Sequence, residues 1–280
     1  MSFVRPLLRS LPRATLLVLL GALVGSLVSP AAVAQEDDSR TLDVIRVEGI
    51  IDPPTADYLR SSLEGAEEDG VHVAVIQLDT PGGLDVSMRA IIQQILDSEV
   101  PVVVWIAPRG ARAASAGTYI TYAANLAYMA EATELGAATP IDLGGGDLDR
   151  KVTEDAAAYI RSLALARDRN VEWAEEAVRE GASLAAPEAA EMNVVDGVAS
   201  SLGDLVRALD GAVVTTAGGA RITLETWDET ADPPTPSVRI RFQEMNVMQR
   251  LLHAVTTPDI AYLLLLVGFF GIIFELYNPG

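Results

Sequence analysis

The sequence predicts an α/β fold with a mainly parallel sheet covered by helices. Three observations predict it. Apolar runs of strand length, rich in β-branched residues, recur through the middle of the chain, as VHVAVIQL at 71–78 and VPVVVWI at 100–106. Turn residues close each run, and a stretch with helical spacing of its apolar positions follows. Half of the 280 residues are hydrophobic, enough for a full core in one large domain or two small ones.

The elements follow in order. Arg5, Arg9 and Arg13 precede an apolar 14–28 run and the small-residue site Ala32-Val33-Ala34. That is the pattern of a secretory signal peptide over 1–34, with an uncleaved anchor as the rival reading. A globular domain is expected over 35–226. Within it, strands are predicted at 42–51, 71–78, 100–106 and 127–129, with a strand and turn at 194–198. Helices are predicted at 54–68, 85–97, 115–125, 152–167, 171–180, 187–192 and 202–209, and a small strand pair around Gly218-Gly219. A loop of Gly, Asp and Pro separates 134 from 149.

Two further segments are expected. Residues 227–257 combine an acidic, proline-rich linker (WDETADPPTPS, 227–237) with an amphipathic stretch at 239–253. That stretch either lies on a membrane surface or packs on its own domain. Residues 258–280 carry IAYLLLLVGFFGIIFEL, apolar on every face, which reads as a transmembrane segment or else a buried core helix. The sequence then stops at a turn signal, Tyr277-Asn278-Pro279-Gly280, as in a short form or a fragment.

Charge and composition exclude several functions. The formal net charge is −19, which repels phosphates and argues against nucleic acid as a partner. No cysteine is present, so thiolate metal sites and a Cys nucleophile are excluded. Two histidines, His72 and His253, are too few for a zinc site built on several. No cofactor motif is found.

Three features can carry chemistry. The first is Leu78-Asp79-Thr80-Pro81-Gly82-Gly83, where a buried strand ends and paired glycines open a helix. Such glycines let backbone N–H groups face a ligand, as in an oxyanion hole, or simply make a tight turn. The second is Ala113-Ala114-Ser115-Ala116-Gly117-Thr118, which places Ser115 at a helix start among small neighbours. There it is either an exposed nucleophile or an N-cap. The third is Lys151, the only lysine among twenty basic residues. Arginine cannot deprotonate, whereas a buried lysine can serve as a base. Chance survival of a surface lysine is the competing account. His72, inside a strand run, and His253, beside the apolar segment, are poorly placed as bases, and Ser with Lys is a known variant of the Ser-His-Asp logic.

The set LDTPGGL, AASAGTYI, RKVTEDAAAYIRSLALARDRN and NVVDGVAS resembles the NfeD family from about Leu42 to Gly280. These are membrane-bound serine proteases related to ClpP and signal peptide peptidase A. The resemblance implies a ClpP/crotonase-like spiral of ββα units. It implies Ser115 as nucleophile, Lys151 as base preceding its helix, and oxyanion donors at Gly83 and Ala116, with Gly82 in the same turn. ClpP has a histidine near the point where this chain reads Ala138-Thr139-Pro140, a departure that favours lysine. Also implied are cleavage of hydrophobic segments of membrane proteins, stomatin-like partners, a homodimer or larger assembly, and a protease domain on the extracytoplasmic side of the cell membrane. Full-length members usually continue into more membrane helices and a β-barrel domain. A crotonase-like acyl-binding module, or an idle scaffold assembling a stomatin-type partner, stands as the alternative.

Overall fold

The computed structural model describes residues 40–140 and 147–277. The expected signal peptide, 1–34, and the turn at 278–280 lie outside the described residues. Along the chain β1 (Thr41–Glu48) leads to α1 (Pro53–Glu68), and β2 (Val73–Asp79) to α2 (Asp85–Asp97). β3 (Val102–Ile106) is followed by a short β4 (Arg112–Ala114) and by α3 (Ala116–Ala123). β5 (Leu126–Met129) is followed by β6 (Glu134–Gly136) and by α4 (Asp147–Ala166). Next come α5 (Val171–Arg179), β7 (Ser183–Ala185), α6 (Ala186–Glu191), β8 (Gly197–Val198) and α7 (Leu202–Leu209). Two hairpins pair β9 (Val213–Thr215) with β10 (Arg221–Thr223), and β11 (Trp227–Asp228) with β12 (Thr235–Pro236). β13 (Arg239–Gln243), α8 (Val247–Thr256) and α9 (Pro258–Tyr277) complete the described chain.

The main sheet runs β13-β1-β2-β3-β5-β8, and every pairing in it is parallel. Parallel strands covered on both faces should be apolar throughout, as β3 (VVVWI, all buried) is. Side chains alternate between two cores. Ile45, Val47, Ile76, Leu78, Val104 and Ile106 enter one core, roofed by the long helices. Leu42, Val44, Val73, Val75, Val103 and Trp105 enter the other, closed by α7 and its neighbours. The mixed α/β expectation holds.

A second layer stands at the carboxyl ends of the main strands. β4 pairs with β6 in parallel and β6 with β7 antiparallel. Isolated parallel bridges, Thr80 to Ala113 and Ile51 to Gly83, extend it. A main strand, a short second-layer segment and a helix therefore recur along the chain. The three strands of this layer, β4, β6 and β7, were not expected from sequence, because three residues show no period of their own.

Three expectations are corrected. Residues 239–243 are not part of an amphipathic helix. They form β13, which pairs with β1, so the sheet continues past the expected boundary at 226. Arg241 reaches buried Asp43 (2.7 Å) and Asp69 (2.6 Å), which draws this polar strand onto the sheet edge. The helix starts only after Asn246, whose side chain caps Gln249 N–H at 2.9 Å in a reciprocal capping box. The 227–237 stretch is not a free linker. It folds as the β11–β12 hairpin, with Arg207 4.5 Å above the Trp227 ring. The 134–149 loop contains β6 and the first turn of α4.

One helix among the described residues is long and apolar enough to cross a membrane, Asp259–Tyr277, and none of it is buried. The core-helix alternative is therefore not met.

Candidate active site

The site forms where β2 and β3 hand the chain to the second layer. Beyond β2, Thr80 N–H donates to Arg112 O (2.7 Å) and Thr80 O accepts from Ala114 N–H (3.0 Å). These bonds bring the Pro81-Gly82-Gly83 turn beside the strand that ends at Ser115. The buried Thr80 hydroxyl accepts from Gly82 N–H at 3.0 Å and closes the turn on itself.

Both glycines are required by space. Gly82 has φ of 114°, and a Cβ there would sit 2.7 Å from Ser115 Cβ and 3.2 Å from Ser115 Oγ. The turn thus lies directly against the serine side chain. A Cβ on Gly83 would meet Ile51 O at 2.1 Å. Ile51 grips the turn on both sides, donating to Gly82 O (2.9 Å) and accepting from Leu84 N–H (2.8 Å). Gly83 N–H points away from this bridge and has no partner among the described residues.

Ser115 has φ of 52° and ψ of −114°, a conformation that non-glycine residues rarely adopt. Such strain persists only where surroundings over-determine it, and it clusters at functional sites. The surroundings here are specific. Ser115 N–H donates to Gly136 O (3.0 Å), and Ser115 O accepts from Thr118 N–H (2.9 Å). The buried Thr118 hydroxyl lies 2.9 Å from the same Gly136 carbonyl. The Ser115 side chain makes no capping bond to α3, so the N-cap role for its hydroxyl is not realised. Ala116 N–H, at the first turn of α3, is also unpartnered among the described residues. The helix dipole adds positive potential at that end.

Of the expected donors, then, Gly83 and Ala116 offer N–H groups. Gly82 does not, since Thr80 uses its N–H; what Gly82 supplies is room. Thr80, Thr118 and Gly136 were not singled out from sequence. The small hydroxyl residue next to the glycine pair was the one available signal, since such residues close turns through their side chains.

Lys151 differs from its expectation in two respects. It lies within α4, past the first turn, rather than ahead of the helix, and its side chain is exposed rather than buried. No hydrogen bond joins it to Ser115 among the described residues. Its helix face is nonetheless defined. Asp155 and Tyr159 follow at i+4 and i+8, on the same side of α4. Asp155 is held by Arg89 of α2 (2.9 Å), and the Arg89 guanidinium lies 4.4 Å from the Tyr159 ring centre. Tyr159 stacks on Tyr119 of α3, with ring centres 6.2 Å apart. Burial pushes the Tyr119 phenol well above its ordinary value. The stripe that carries Lys151 therefore faces α2 and α3, the helices that follow the glycine turn and Ser115.

No group of three or more His, Cys, Asp or Glu suited to a metal is present among the described residues.

The parallel sheet and the second layer define an α/β protein, with a strained serine set against a glycine turn. The chain belongs to the NfeD1b family, whose N-terminal domain profile matches residues 41–215. It is 33% identical over 243 residues to the membrane-bound protease PH1510 of Pyrococcus horikoshii, covering 85% of this chain and 53% of that one. It is 27% identical over 256 residues to the membrane protein NfeD1b of Bacillus subtilis, covering 87% and 52%. The chain thus spans about half the length of these curated relatives. Among solved structures it is similar to the membrane-bound stomatin-specific protease 1510-N. A lysine-to-alanine mutant of that protease, in complex with a substrate peptide, matches at 32% identity with a TM-score of 0.70, over 78% of this chain and 99% of that one. A serine-to-alanine mutant matches at 32% identity with a TM-score of 0.67, over 74% and 99%.

Proposed function

We propose that this chain is a membrane-anchored serine endopeptidase with a ClpP-like spiral fold, acting through Ser115 and Lys151. One observation carries the reading. Ser115 is held at a positive φ with its hydroxyl free of the helix cap, directly against the glycine turn. Relatives named as proteases, and solved as serine and lysine mutants, support the same two residue types.

In this mechanism Ser115 Oγ attacks the scissile carbonyl carbon while the neutral Lys151 amine takes its proton. The carbonyl electrons move to oxygen, and Gly83 and Ala116 N–H groups bind that oxyanion. Collapse breaks the C–N bond, and the lysine ammonium returns the proton to the leaving amine. Water then attacks the acyl-enzyme with Lys151 again as base, and Ser115 is regenerated. Because Lys151 is exposed here, the dyad has to close when substrate covers it or when a second copy packs against it. That fits the homodimer or larger assembly expected from the family.

The substrate class follows the family: hydrophobic segments of membrane proteins, with a stomatin-like protein as substrate or partner. Residues 1–34 act as an export signal, and Asp259–Tyr277 anchors a domain on the extracytoplasmic side. The exposed Lys151 is the one observation that favours the alternative, an acyl-binding module that uses the two backbone donors without a nucleophile. Fluorophosphonate labelling of the detergent-solubilised chain separates them. Labelling that disappears in Ser115→Ala is expected, and no labelling of the wild type overturns the protease.

A further inference from the structure

His253 and Asp52 lie far apart in sequence and meet at the edge of the site. Asp52 is 4% exposed and caps α1. Its Oδ1 accepts from Thr55 N–H (2.9 Å) and from the Thr55 hydroxyl (2.7 Å). Its Oδ2 lies 2.8 Å from His253 Nδ1 and accepts from the Thr256 hydroxyl, both on α8. The same ring nitrogen is 3.4 Å from the Thr55 hydroxyl. The imidazole also covers Gly49, where a Cβ would come within 3.4 Å of Nε2.

The four residues 49–52 also hold the catalytic turn. Gly49 N–H donates to Asp79 O at 2.9 Å, at the end of β2. The fully buried Ile51 bonds Gly82 O and Leu84 N–H, one on each side of Gly83. One short segment therefore has α8 on one side and the orientation of Gly83 N–H on the other. A single residue, Thr257, separates α8 from the apolar helix α9.

We propose that His253 is a positioning residue. Through Asp52 it locks the helix ahead of the membrane span onto residues 49–52, and so fixes the Gly83 donor. The activity of the site then depends on how the anchor helix is seated. This inference rests on the oxyanion role assigned to Gly83 under the protease reading. The bland account is that the cluster only caps α1 and docks α8. It predicts lower stability with no change at the Gly82–Gly83 turn.

The test uses the full chain in detergent micelles. His253→Ala removes the donor to Asp52, and His253→Asn restores an N–H at nearly the same position. Thr256→Val removes the hydroxyl that serves Asp52 and the His253 carbonyl while keeping the imidazole contact. Hydrogen exchange at the Ile51 and Leu84 amides is measured beside peptide hydrolysis. His253→Ala should speed exchange at both amides and lower kcat roughly tenfold or more with KM little changed. Complete loss of one oxyanion donor costs ~10²–10³ in kcat, and misplacement forfeits part of that. His253→Asn should recover both readouts, and Thr256→Val should fall between. If His253→Ala does not fold, Thr256→Val and His253→Asn carry the comparison, and wild-type values for Thr256→Val would overturn the coupling. Unchanged exchange, or faster exchange with unchanged kcat, also overturns it. A wild-type chain that hydrolyses no peptide and takes no fluorophosphonate would instead defeat the protease reading. The exchange arm would still decide whether α8 holds the turn.

Discussion

Around Ser115 the backbone is tightly bonded, and the Gly83 and Ala116 N–H groups are left without partners among the described residues. Gly136, Thr118, Thr80 and Ile51 fix Ser115 and the glycine turn through bonds of 2.8–3.0 Å. Around Lys151 the setting is the opposite. The side chain is exposed on an early turn of α4. Later turns of that helix bury Ala157, Ile160 and Ala164 in the core, while the turns nearest Lys151 are tied to α2 by an exposed ion pair and a ring contact. The serine half is fixed by backbone hydrogen bonds. Near Lys151 the ties are side-chain contacts, and the exposed ion pair among them is screened by solvent and adds little rigidity. Substitutions in the two halves should therefore fail in different ways.

The largest effect is expected at Ser115. Ser115→Ala should abolish peptide cleavage, with a loss approaching the ~10⁶-fold seen when such nucleophiles are removed. Thermal stability should hardly change, because the hydroxyl caps nothing. A lost N-cap would instead cost about 1 kcal/mol. Retained cleavage with a lowered Tm would merge the two halves into a purely structural site. Next comes Lys151→Arg. Arginine keeps the charge and suits an exposed helical position, so Tm should stay put. It cannot accept the serine proton, so activity should drop as far as in Lys151→Ala, by roughly the 10²–10⁴-fold that a general base supplies. An active Lys151→Arg enzyme would take Lys151 out of the mechanism.

Gly83→Ala should show the reverse pattern, with stability lost together with activity. The added methyl would stand 2.1 Å from a backbone oxygen that cannot turn aside, so the Ile51 bridge must open. A loss on the order of 3 kcal/mol in chemical denaturation is expected, at the upper end of overpacking costs. A Gly83→Ala protein with wild-type stability would show that the serine half is less rigid than its bonds imply.

The same contrast explains what could be read from sequence. The buried strands, the PGG turn and the serine at a helix start are local signals, and each lies where it was expected. What escaped is made by contacts distant in sequence. β4, β6 and β7 have three residues each, too few for a period, and exist because they pair with one another. RIRFQ alternates polar and apolar residues as an edge strand does, yet Phe242, Met245 and Met248 also fit one helix face. Five residues are too few to separate the two readings, and pairing with β1 decides it. Lys151 was found by its uniqueness in composition, which says nothing about burial. That is why its residue type was legible and its exposure was not. Asp52 and His253 carried no motif at all.

The smallest expected effect lies at the other histidine, remote from this contrast and useful as its control. His72 stands just before β2, and its Nε2 accepts a hydrogen bond from Glu225 N–H at 3.0 Å. An acceptor nitrogen must be unprotonated. Burial, reinforced by the Arg40 charge and opposed by Glu225, holds its pKa below the ordinary 6.5. The folded state therefore binds the proton less readily than the unfolded one, so stability rises with pH through this range. The contribution is fully present above 6.5 and is lost as pH falls through the lowered folded value. The ring is partly exposed, so the shift in Tm should stay below about 2 °C, where 1 kcal/mol corresponds to roughly 2–4 °C in a domain this size. His72→Gln keeps an acceptor oxygen and removes the titration. Thermal melts at pH 8 and pH 5 should show the wild type losing slightly more stability than His72→Gln on acidification. Catalytic constants at neutral pH should be the same for both, since His72 touches neither Ser115 nor its turn. Equal acid sensitivity of the two proteins would mean that His72 does not bind its proton less readily in the folded state, and would overturn its role as an acceptor for Glu225 N–H.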